Sequence, residues 1–469
     1  MGNRKGKRMA GMFLAAGLIL LFMCVSRQDS SLPGEAAMAM GLFLAAIVLW
    51  IFDVFPMAIS AAVIVCLYPL FHIMTFKEAI AGFSTSSVIF IFGTFAITAA
   101  MKGSSIPLRI TSACIKLTKG NSAKLIFVFC LISGILSGIM SSSAVCVMFW
   151  SISLIILKTT GAKPGSSNMG RALAVALPVA SGMGGFITPA GTPGNILMID
   201  FMESCGWDIT FGQWTMIGLP VGLIGIIVFA CWLVHVFPIE NIDEEAQKKI
   251  YADKQMAERW SAKDLKTIVI ICVMLMLWFL GSWIPFFNTA TVAVIGMSLM
   301  FMPGIEVLTW KEMQEECNTN ILLMIGLAPI IANALSVTGA LEYLVTHILD
   351  QAFSPGMNPI LLLVAISAAV CVLRAFIPTP AAVVSLLGPL TFSIATLSGL
   401  QPAAVLMIVA FWGASAMLLL YTEPIFFFTF GHGYYTEKDV LRCGWLPCMI
   451  MSIVTSVVIP PLVTLAGIV

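Results

Sequence analysis

Residues Leu131–Ile156 read LISGILSGIMSSSAVCVMFWSISLII and decide the fold. The stretch is apolar enough for a lipid bilayer, yet glycines and the serine run Ser141–Ser143 lie in its middle. Lys124 and Lys158 flank it and leave 33 residues between them. A single span needs about 20 residues, so this segment is too long for one span and too short for two with a loop. It therefore predicts a re-entrant helical hairpin at 125–157.

The tip of such a hairpin lies inside the membrane. Unwound backbone at that depth is tolerated only where protein buries it or where it lines a water-filled cavity. Carriers bind their solutes in cavities of this kind, near the bilayer midplane. The serine run is therefore the first candidate for a solute site.

Composition agrees with a chain that crosses the membrane many times. Hydrophobic residues make up 59% of the 469 residues, charged residues 10%, and the mean hydropathy is +1.02. Soluble domains carry about 25% charged residues. The net charge of +1 gives no indication of nucleic-acid binding. The twelve cysteines are scattered singly, which favours small buried side chains over a disulfide or metal set.

The distribution of basic residues predicts the orientation. The apolar run that follows the basic N-terminus could be a signal peptide, but further spans follow directly, so we interpret it as a retained first helix. With the N-terminus in the cytoplasm, 21 of the 24 Lys and Arg fall in interior segments and two in exterior ones. The positive-inside rule supports this arrangement. We therefore expect a multi-pass protein of the cell membrane with a cytoplasmic N-terminus.

A second hairpin is predicted at 358–398, with its base on the outside. Residues 136–144 align with 373–381, and 191–193 with 421–423. In this alignment the polar or proline-containing tip of the first hairpin matches that of the second. Since the hairpins enter from opposite faces, the chain reads as an inverted-topology repeat. The fold class is then an all-α polytopic membrane protein with about eleven transmembrane helices and two re-entrant hairpins.

These elements divide the chain into five parts. Two of these parts form a scaffold, two form a transport domain, and the fifth is a hydrophilic cytoplasmic linker. The predicted boundaries are 1–124 (scaffold), 125–238 (hairpin and broken helix), 239–264 (linker), 265–357 (scaffold) and 358–469 (hairpin and broken helix).

A second polar signature interrupts the predicted span 172–201. Residues Gly182–Asn195 read GMGGFITPAGTPGN. Each proline removes a helical hydrogen bond and each glycine lowers helix stability, so the helix is expected to break here. A simple kink is the alternative. Two Thr-Pro steps with Asn195 favour a binding site, because freed carbonyls suit a cation while hydroxyls and helix N-termini suit an anion.

Here the sequence resembles the divalent anion–sodium symporters, which carry dicarboxylates, citrate or sulfate. The resemblance covers nearly the whole chain. It rests on the break Thr188–Asn195, similar to the family's TPxGTPPN, and on three supporting matches: Trp50–Pro56, the GFS of Gly82–Ser84 and the LTWK of Leu308–Lys311.

The resemblance implies a homodimer that works by an elevator motion and binds its substrate between the two tips. It assigns the substrate to Ser141, Ser142, Ser143, Thr192, Thr379 and Thr422. It assigns one sodium ion to Ser137, Ser141, Ser142 and carbonyls around Gly191. The family's Ser-Asn-Thr is Ser141-Ser142-Ser143 at the first tip and Pro378-Thr379-Pro380 at the second, so the second tip keeps no member of the motif.

Arg374 and Glu423 are the opposite charges at this second site. Arg374 stands one turn before the second tip, where the family has a small hydroxyl residue, and Glu423 lies in the second break. A charge inside the membrane is costly unless it is paired or hydrated. We expect the two to form a pair in which the guanidinium replaces the second sodium ion. The alternative is that Arg374 reaches the outer surface while Glu423 faces an aqueous crevice.

The sequence thus predicts a secondary active transporter of small anions, with di- and tricarboxylates as the expected substrates and sodium as the coupling ion. A sodium-independent exchanger or a proton-coupled carrier of an atypical solute is the alternative. A channel would differ by its continuous conductance. No metal cluster, nucleophile–base pair or organic-cofactor loop is visible, so we do not expect an enzyme. The expected partners are the anion, membrane lipid and a second copy of the chain.

Overall fold

The computed structural model describes most of the chain as α-helix. The described residues are 2–26, 32–52, 54–239, 260–340, 343, 358–375, 377, 379–415, 417–419, 423 and 425–468. Most of the predicted linker 239–264 lies outside them, as do Thr422 and Pro378.

Eleven helices precede the linker in the described residues. They are α1 (Gly2–Val25), α2 (Gly34–Ile51), α3 (Met57–Leu70), α4 (Phe76–Ala79), α5 (Ser86–Lys102), α6 (Ile106–Thr118), α7 (Ser122–Ser137), α8 (Ser142–Thr159), α9 (Asn168–Gly185), α10 (Pro193–Ser204) and α11 (Phe211–Val236). A 3₁₀ turn, Ala81–Ser84, separates α4 from α5.

Nine helices are described after the linker. They are α12 (Ala262–Leu280), α13 (Thr289–Phe301), α14 (Trp310–Glu316), α15 (Thr319–Val337), α16 (Pro359–Arg374), α17 (Pro380–Leu397), α18 (Pro402–Ala414), α19 (Ile425–Phe430) and α20 (Glu437–Leu465). A second 3₁₀ turn, Pro285–Phe287, precedes α13.

Both predicted hairpins are pairs of helices joined by a short turn. The first consists of α7 and α8 with residues 138–141 between them, and the second of α16 and α17 with 375–379 between them. Each first helix begins at an asparagine side chain: Asn121 accepts from the backbone N–H of Lys124, and Asn358 from that of Ile360. Such caps satisfy donors that the first helical turn leaves free.

Both predicted breaks are also present. Residues 186–192 separate α9 from α10, and 415–424 separate α18 from α19. Helix α10 restarts at Pro193 after the extended residue Thr192, which agrees with the effect of a Thr-Pro step on helix continuity.

The same order of elements occurs twice along the chain. A capped short helix and a longer helix (α4–α5, α14–α15) precede a hairpin, a broken helix and a long helix that ends at Val236 in one copy and at Leu465 in the other. The two short helices have the same type of N-cap: Thr75 and Glu78 form a capping box before α4, and Thr309 and Glu312 form one before α14. The relative orientation of the two copies in a membrane stays a prediction.

Packing joins the two copies at the centre of the molecule. Helix α11 packs along α20, and α10 contacts α17 and α18. Around this central body, α5 packs on α13 and α3 on α15, while α1 and α2 pair with each other. Helices α5 and α15 also touch α10, and α15 touches α17, so these two outer helices face the hairpins and breaks.

The fold class is an all-helical polytopic membrane protein, as the sequence indicated. Among the described residues six helices are individually long and apolar enough to cross a membrane, or up to eight spans if each bent helix pair counts as one. Several shorter apolar helices fall below that length, among them α7 and α16, the first helix of each hairpin, whereas the second helices α8 and α17 are among the six. The predicted number of eleven spans stays a prediction.

Candidate functional site

A cavity of about 350 Å³ lies where the two hairpin tips meet the two helix breaks. We call it the central cavity. Its volume is in the range of small-molecule sites. From the central body it is lined by Ser141, Ser142, Ser143, Gly182, Ala190, Gly191, Thr192, Pro193, Thr379, Pro380, Ala381, Ala414, Glu423 and Ile425. Its opposite wall comes from outer elements: Pro56, Met57, Ile91, Thr94, Phe95, Thr98, Asn318, Asn320, Ile321 and Met324.

Most of the residues predicted from the sequence therefore meet in one place. The three serines of the first tip, Thr192 and Thr379 line the central cavity. Thr422 lies outside the described residues, so its predicted role stays a prediction.

Three helices begin at this cavity. Ser141, Thr192 and Thr379 are the N-cap residues of α8, α10 and α17. Each helix N-terminus carries roughly half a positive elementary charge and free backbone N–H groups. Hydroxyl-bearing caps at three convergent N-termini form an environment for a negatively charged ligand.

The residues predicted to hold sodium form an oxygen cluster beside the first tip. Ser137 Oγ lies 2.6 Å from Ser142 Oγ and 2.6 Å from the carbonyl oxygen of Ser181. The Ser181 hydroxyl is buried and has no hydrogen-bond partner among the residues that the structure describes. Neutral oxygen atoms in this density suit a hard monovalent cation. Ser181 is a member of the cluster that the sequence interpretation missed.

Gly191 approaches the same cluster through Gly185. A Cβ atom on Gly191 would come within 2.2 Å of the Gly185 carbonyl oxygen. A Cβ on Gly185 would come within 2.8 Å of Ser142 Oγ and within 2.4 Å of a Thr192 methyl carbon. The break therefore packs backbone directly against the first tip, which explains why glycine is needed at both positions.

Asn195 holds the first break in shape. Its amide nitrogen donates to the carbonyl oxygens of Gly185 and Thr188 at 2.7 Å, and its amide oxygen accepts from the Thr192 hydroxyl at 3.1 Å. The Thr188 hydroxyl in turn donates to the carbonyl oxygen of Gly138 in the first tip. Buried carbonyls released by the break thus find partners within the site.

Arg374 and Glu423 form an ion pair in the second half of the site. Arg374 is 1% exposed and Glu423 8%. The guanidinium also donates to the carbonyl oxygen of Gly413 at 3.1 Å, at the end of α18, and to that of Ile377 in the second tip. A fixed cation therefore bonds the second tip, the second break and the end of α18 together. Glu423 lines the central cavity, and Arg374 stands behind it.

The outer wall is the part that sequence reasoning did not find. The backbone N–H of Ser141 donates to Thr98 Oγ1 of α5 at 3.3 Å, so the first tip touches the outer elements directly. Asn318 caps α15 and lines the cavity together with Asn320. The polar triplet Asn318-Thr319-Asn320 before an apolar run, and the i, i+4 pair Thr94 and Thr98, were the available signals.

Comparison with known proteins assigns this architecture to a family. The family model for the sodium:sulfate symporter transmembrane region matches residues 7–465. The chain belongs to that family. The resemblance seen in the sequence is thereby confirmed, and the symporter is a membrane transport protein rather than an enzyme. Membership of this family supports sodium-coupled anion transport, with sodium as the implied co-substrate.

Individual relatives are distant but cover nearly all of the symporter. An uncharacterized transporter of Haemophilus influenzae is 22% identical over 460 residues, which is 95% of each chain. The sodium-dependent dicarboxylate transporter SdcS of Staphylococcus aureus strain USA300 is 22% identical over 477 residues, 96% of this chain and 90% of the relative.

Proposed function

We propose that the symporter carries a small anion, a di- or tricarboxylate, together with sodium. The convergence of three helix N-termini with hydroxyl caps on one cavity carries this proposal, because such a cavity stabilises negative charge at both ends. The S. aureus relative is a sodium-dependent dicarboxylate transporter, which supports the same substrate class.

In this proposal the substrate lies between Ser141–Ser143, Thr192 and Thr379, with Thr422 nearby. One sodium ion binds at Ser137, Ser141, Ser142 and Gly191, next to the carbonyl of Ser181. The guanidinium of Arg374 takes the place of a second cation. Its hydrogen bonds to the carbonyls of Gly413 and Ile377 support this, because backbone carbonyls of this kind also bind sodium.

We further propose that transport follows an elevator motion in a homodimer of the cell membrane, with the N-terminus in the cytoplasm. The transport domain would be 125–238 with 358–469, and the scaffold 1–124 with 265–357. The position of the cavity between these parts supports the division, since α5 and α15 supply its outer wall.

Uptake into proteoliposomes tests the proposal. Radiolabelled succinate, citrate and sulfate are offered while external sodium, pH and the internal anion are varied separately. Saturable, sodium-dependent uptake of succinate or citrate is the expected result. Uptake of sulfate alone would contradict the substrate class.

A sodium-independent exchanger is the second candidate, and the Arg374–Glu423 pair favours it, because a fixed charge at the second cation position reduces the need for sodium. Uptake that requires an internal anion and ignores sodium would support it.

A further inference from the structure

Glu423 is the one charged side chain among the described residues that line the central cavity. The other lining side chains carry hydroxyl or amide groups or are apolar. A carboxylate in a cavity for anions repels the second carboxylate of a dianion, so its presence requires an explanation.

Arg374 supplies part of that explanation. A sodium ion enters with the substrate and leaves with it, whereas Arg374 remains fixed on α16 by the carbonyls of Gly413 and Ile377. When the carrier is empty, an unpaired guanidinium would have to cross the membrane. The ion pair with Glu423 removes that charge.

The loaded carrier has a different net charge in its site. One sodium ion, Arg374, an ionised Glu423 and a dianion leave one net negative charge in a buried site. A proton on Glu423 brings the sum to zero and lets the charge of Arg374 act on the substrate. The empty and the loaded site are then both neutral, which is the least costly state for a buried cavity that moves through a membrane.

We propose that Glu423 binds a proton whenever a dianion occupies the central cavity, and that this proton crosses the membrane with it. The inference rests on the proposed function and specifies its coupling. The proton is taken from the aqueous side that the cavity faces and is released with the substrate on the other side. One dianion, one sodium ion and one proton cross without net charge.

No other described group near the pair competes for this role. Helices α17, α18 and α19 carry no charged residue, and α8, α9 and α10 carry theirs away from the cavity, at Lys158, Arg171, Asp200 and Glu203. Cys371, one turn before Arg374, and Cys448 of α20 carry thiol groups rather than carboxylates or amines.

Fumarate is the suitable probe, because both of its carboxyls are ionised between about pH 6 and pH 8. Proteoliposomes containing an internal pH dye receive fumarate and sodium at a series of external pH values. In the unchanged protein we expect faster uptake at lower external pH and internal acidification of one proton per fumarate. In Glu423→Gln, a neutral side chain of the same shape, we expect slower uptake, because the empty carrier returns with an unpaired guanidinium, and we expect neither acidification nor this pH dependence.

Matched controls separate the proton site from a folding defect. Glu203→Gln makes the same chemical change on an exposed residue of α10 and should keep the acidification. Arg374→Gln with Glu423→Gln removes both charges and replaces Glu423→Gln in the acidification assay if the single variant does not fold. Calorimetric titration of the unchanged protein with fumarate, in buffers of different ionisation enthalpy, counts bound protons without any variant and without transport.

The outcomes are distinct. Sodium-dependent fumarate uptake or binding without proton uptake, or acidification that persists in Glu423→Gln, overturns the inference and leaves the proposed function intact. Transport of a monoanion such as lactate in preference to any dianion contradicts the proposed substrate class, so the inference falls with the proposed function. Absence of binding and uptake for fumarate, succinate, citrate and sulfate overturns the proposed function, and the inference with it.

Discussion

At the scale of single residues, the Arg374–Glu423 pair dominates the second half of the site. Both side chains are buried, so removing one partner leaves the other uncompensated. We expect Arg374→Ala to destabilise the protein by about 3–5 kcal/mol. Arg374→Ala with Glu423→Gln should recover a large part of that loss, because no buried charge remains. Thermal unfolding of the purified protein in detergent measures both.

The comparison of the single and double variants is the decisive part. Equal destabilisation in both would mean that the guanidinium acts through its bonds to Gly413 and Ile377 and that its charge pairing contributes little. The destabilisation caused by Glu423→Gln alone should lie between that of Arg374→Ala and that of the double variant, because the guanidinium that remains still has carbonyl acceptors.

Asn195 offers a second test at this scale. Asn195→Ala removes two hydrogen bonds to buried carbonyls, those of Gly185 and Thr188. We expect a loss of about 1–3 kcal/mol together with weaker sodium dependence of uptake, since the break borders the sodium cluster. Asn333→Ala on α15, an exposed asparagine, is the control and should change stability by less than about 0.5 kcal/mol. Equal effects would show that the break does not depend on this amide.

How far such residues could be foreseen depends on their position in the chain. The serines at 141–143 and Thr192 interrupt apolar runs, so local sequence marks them without any structure. Thr98 and Asn318 carry only weak local signals, and they become part of the site because long-range packing places α5 and α15 against the tips. Local patterns contain no information about that packing.

At the scale of helices, glycine contacts hold the first hairpin against the broken helix. A Cβ atom on Gly184 of α9 would lie 2.0 Å from the carbonyl oxygen of Gly134 on α7. Because the obstacle is backbone, the helices must separate to accommodate it. We expect Gly184→Ala to cost about 1–3 kcal/mol and to reduce uptake. Close contact through small residues is a common way for membrane helices to associate.

Gly17→Ala is the matched control for this change. Gly17 lies in α1, and nothing stands within 4 Å of the position a Cβ would take. Alanine is the better helix former, so this variant should be neutral or slightly stabilising. Thermal unfolding of the two variants side by side separates a packing clash from a general effect of alanine.

Helix boundaries were harder to foresee than helices. The last apolar run of the sequence covers 445–468, whereas α20 starts at Glu437. Its N-terminal turns are polar and are started by the capping box of Thr436 and Asp439, which an apolar run cannot reveal. Helix α9 begins at Asn168 in the same way, behind the cap Ser167. Hydropathy locates the part of a helix in the bilayer, and side-chain caps decide where it begins.

At the scale of the whole molecule, Asp264 of α12 links the second half of the chain to Ser105, which lies between α5 and α6 in the first half. It lies in the first turn of α12, before the apolar run, and accepts from the backbone N–H and the hydroxyl of Ser105 at 2.8 and 2.6 Å. Burial disfavours its charged form, but the hydrogen bonds from Ser105 and Ser261 outweigh burial and lower the pKa of Asp264 from 3.8 to about 2.

The sign of the pH effect follows from that lowered pKa. Asp264 favours the folded state fully above its unfolded pKa of about 4, and the contribution is lost as the pH falls towards 2. We therefore expect Asp264→Asn to lower the melting temperature at pH 7 and to have a smaller effect near pH 3. Asp439→Asn is the control, because Asp439 caps α20 through Thr436 and has no long-range hydrogen bond within the described part of the chain. An Asp264→Asn effect that is the same at both pH values would contradict this role.

The proposed elevator motion makes a prediction about a contact between transport domain and scaffold. Ser87 at the start of α5 donates its hydroxyl hydrogen to Asp200 of α10 at 2.5 Å. The second carboxylate oxygen of Asp200 is buried without a partner among the described residues. If the transport domain slides along the scaffold, this bond must break in every cycle, because its two residues belong to different bodies.

A covalent bridge at this point should therefore stop transport. Ser87→Cys with Asp200→Cys, introduced into a variant without native cysteines that still takes up substrate, is treated with a short thiol-to-thiol cross-linker. We expect uptake to fall to background and to return on reduction. The control is Ser367→Cys with Thr455→Cys: these two hydroxyls lie 3.0 Å apart on α16 and α20, both within the transport domain, so their bridge should leave uptake unchanged. Uptake that persists after complete cross-linking of 87 to 200 would show that substrate crosses without sliding of α10 past α5, because no displacement of that contact remains possible.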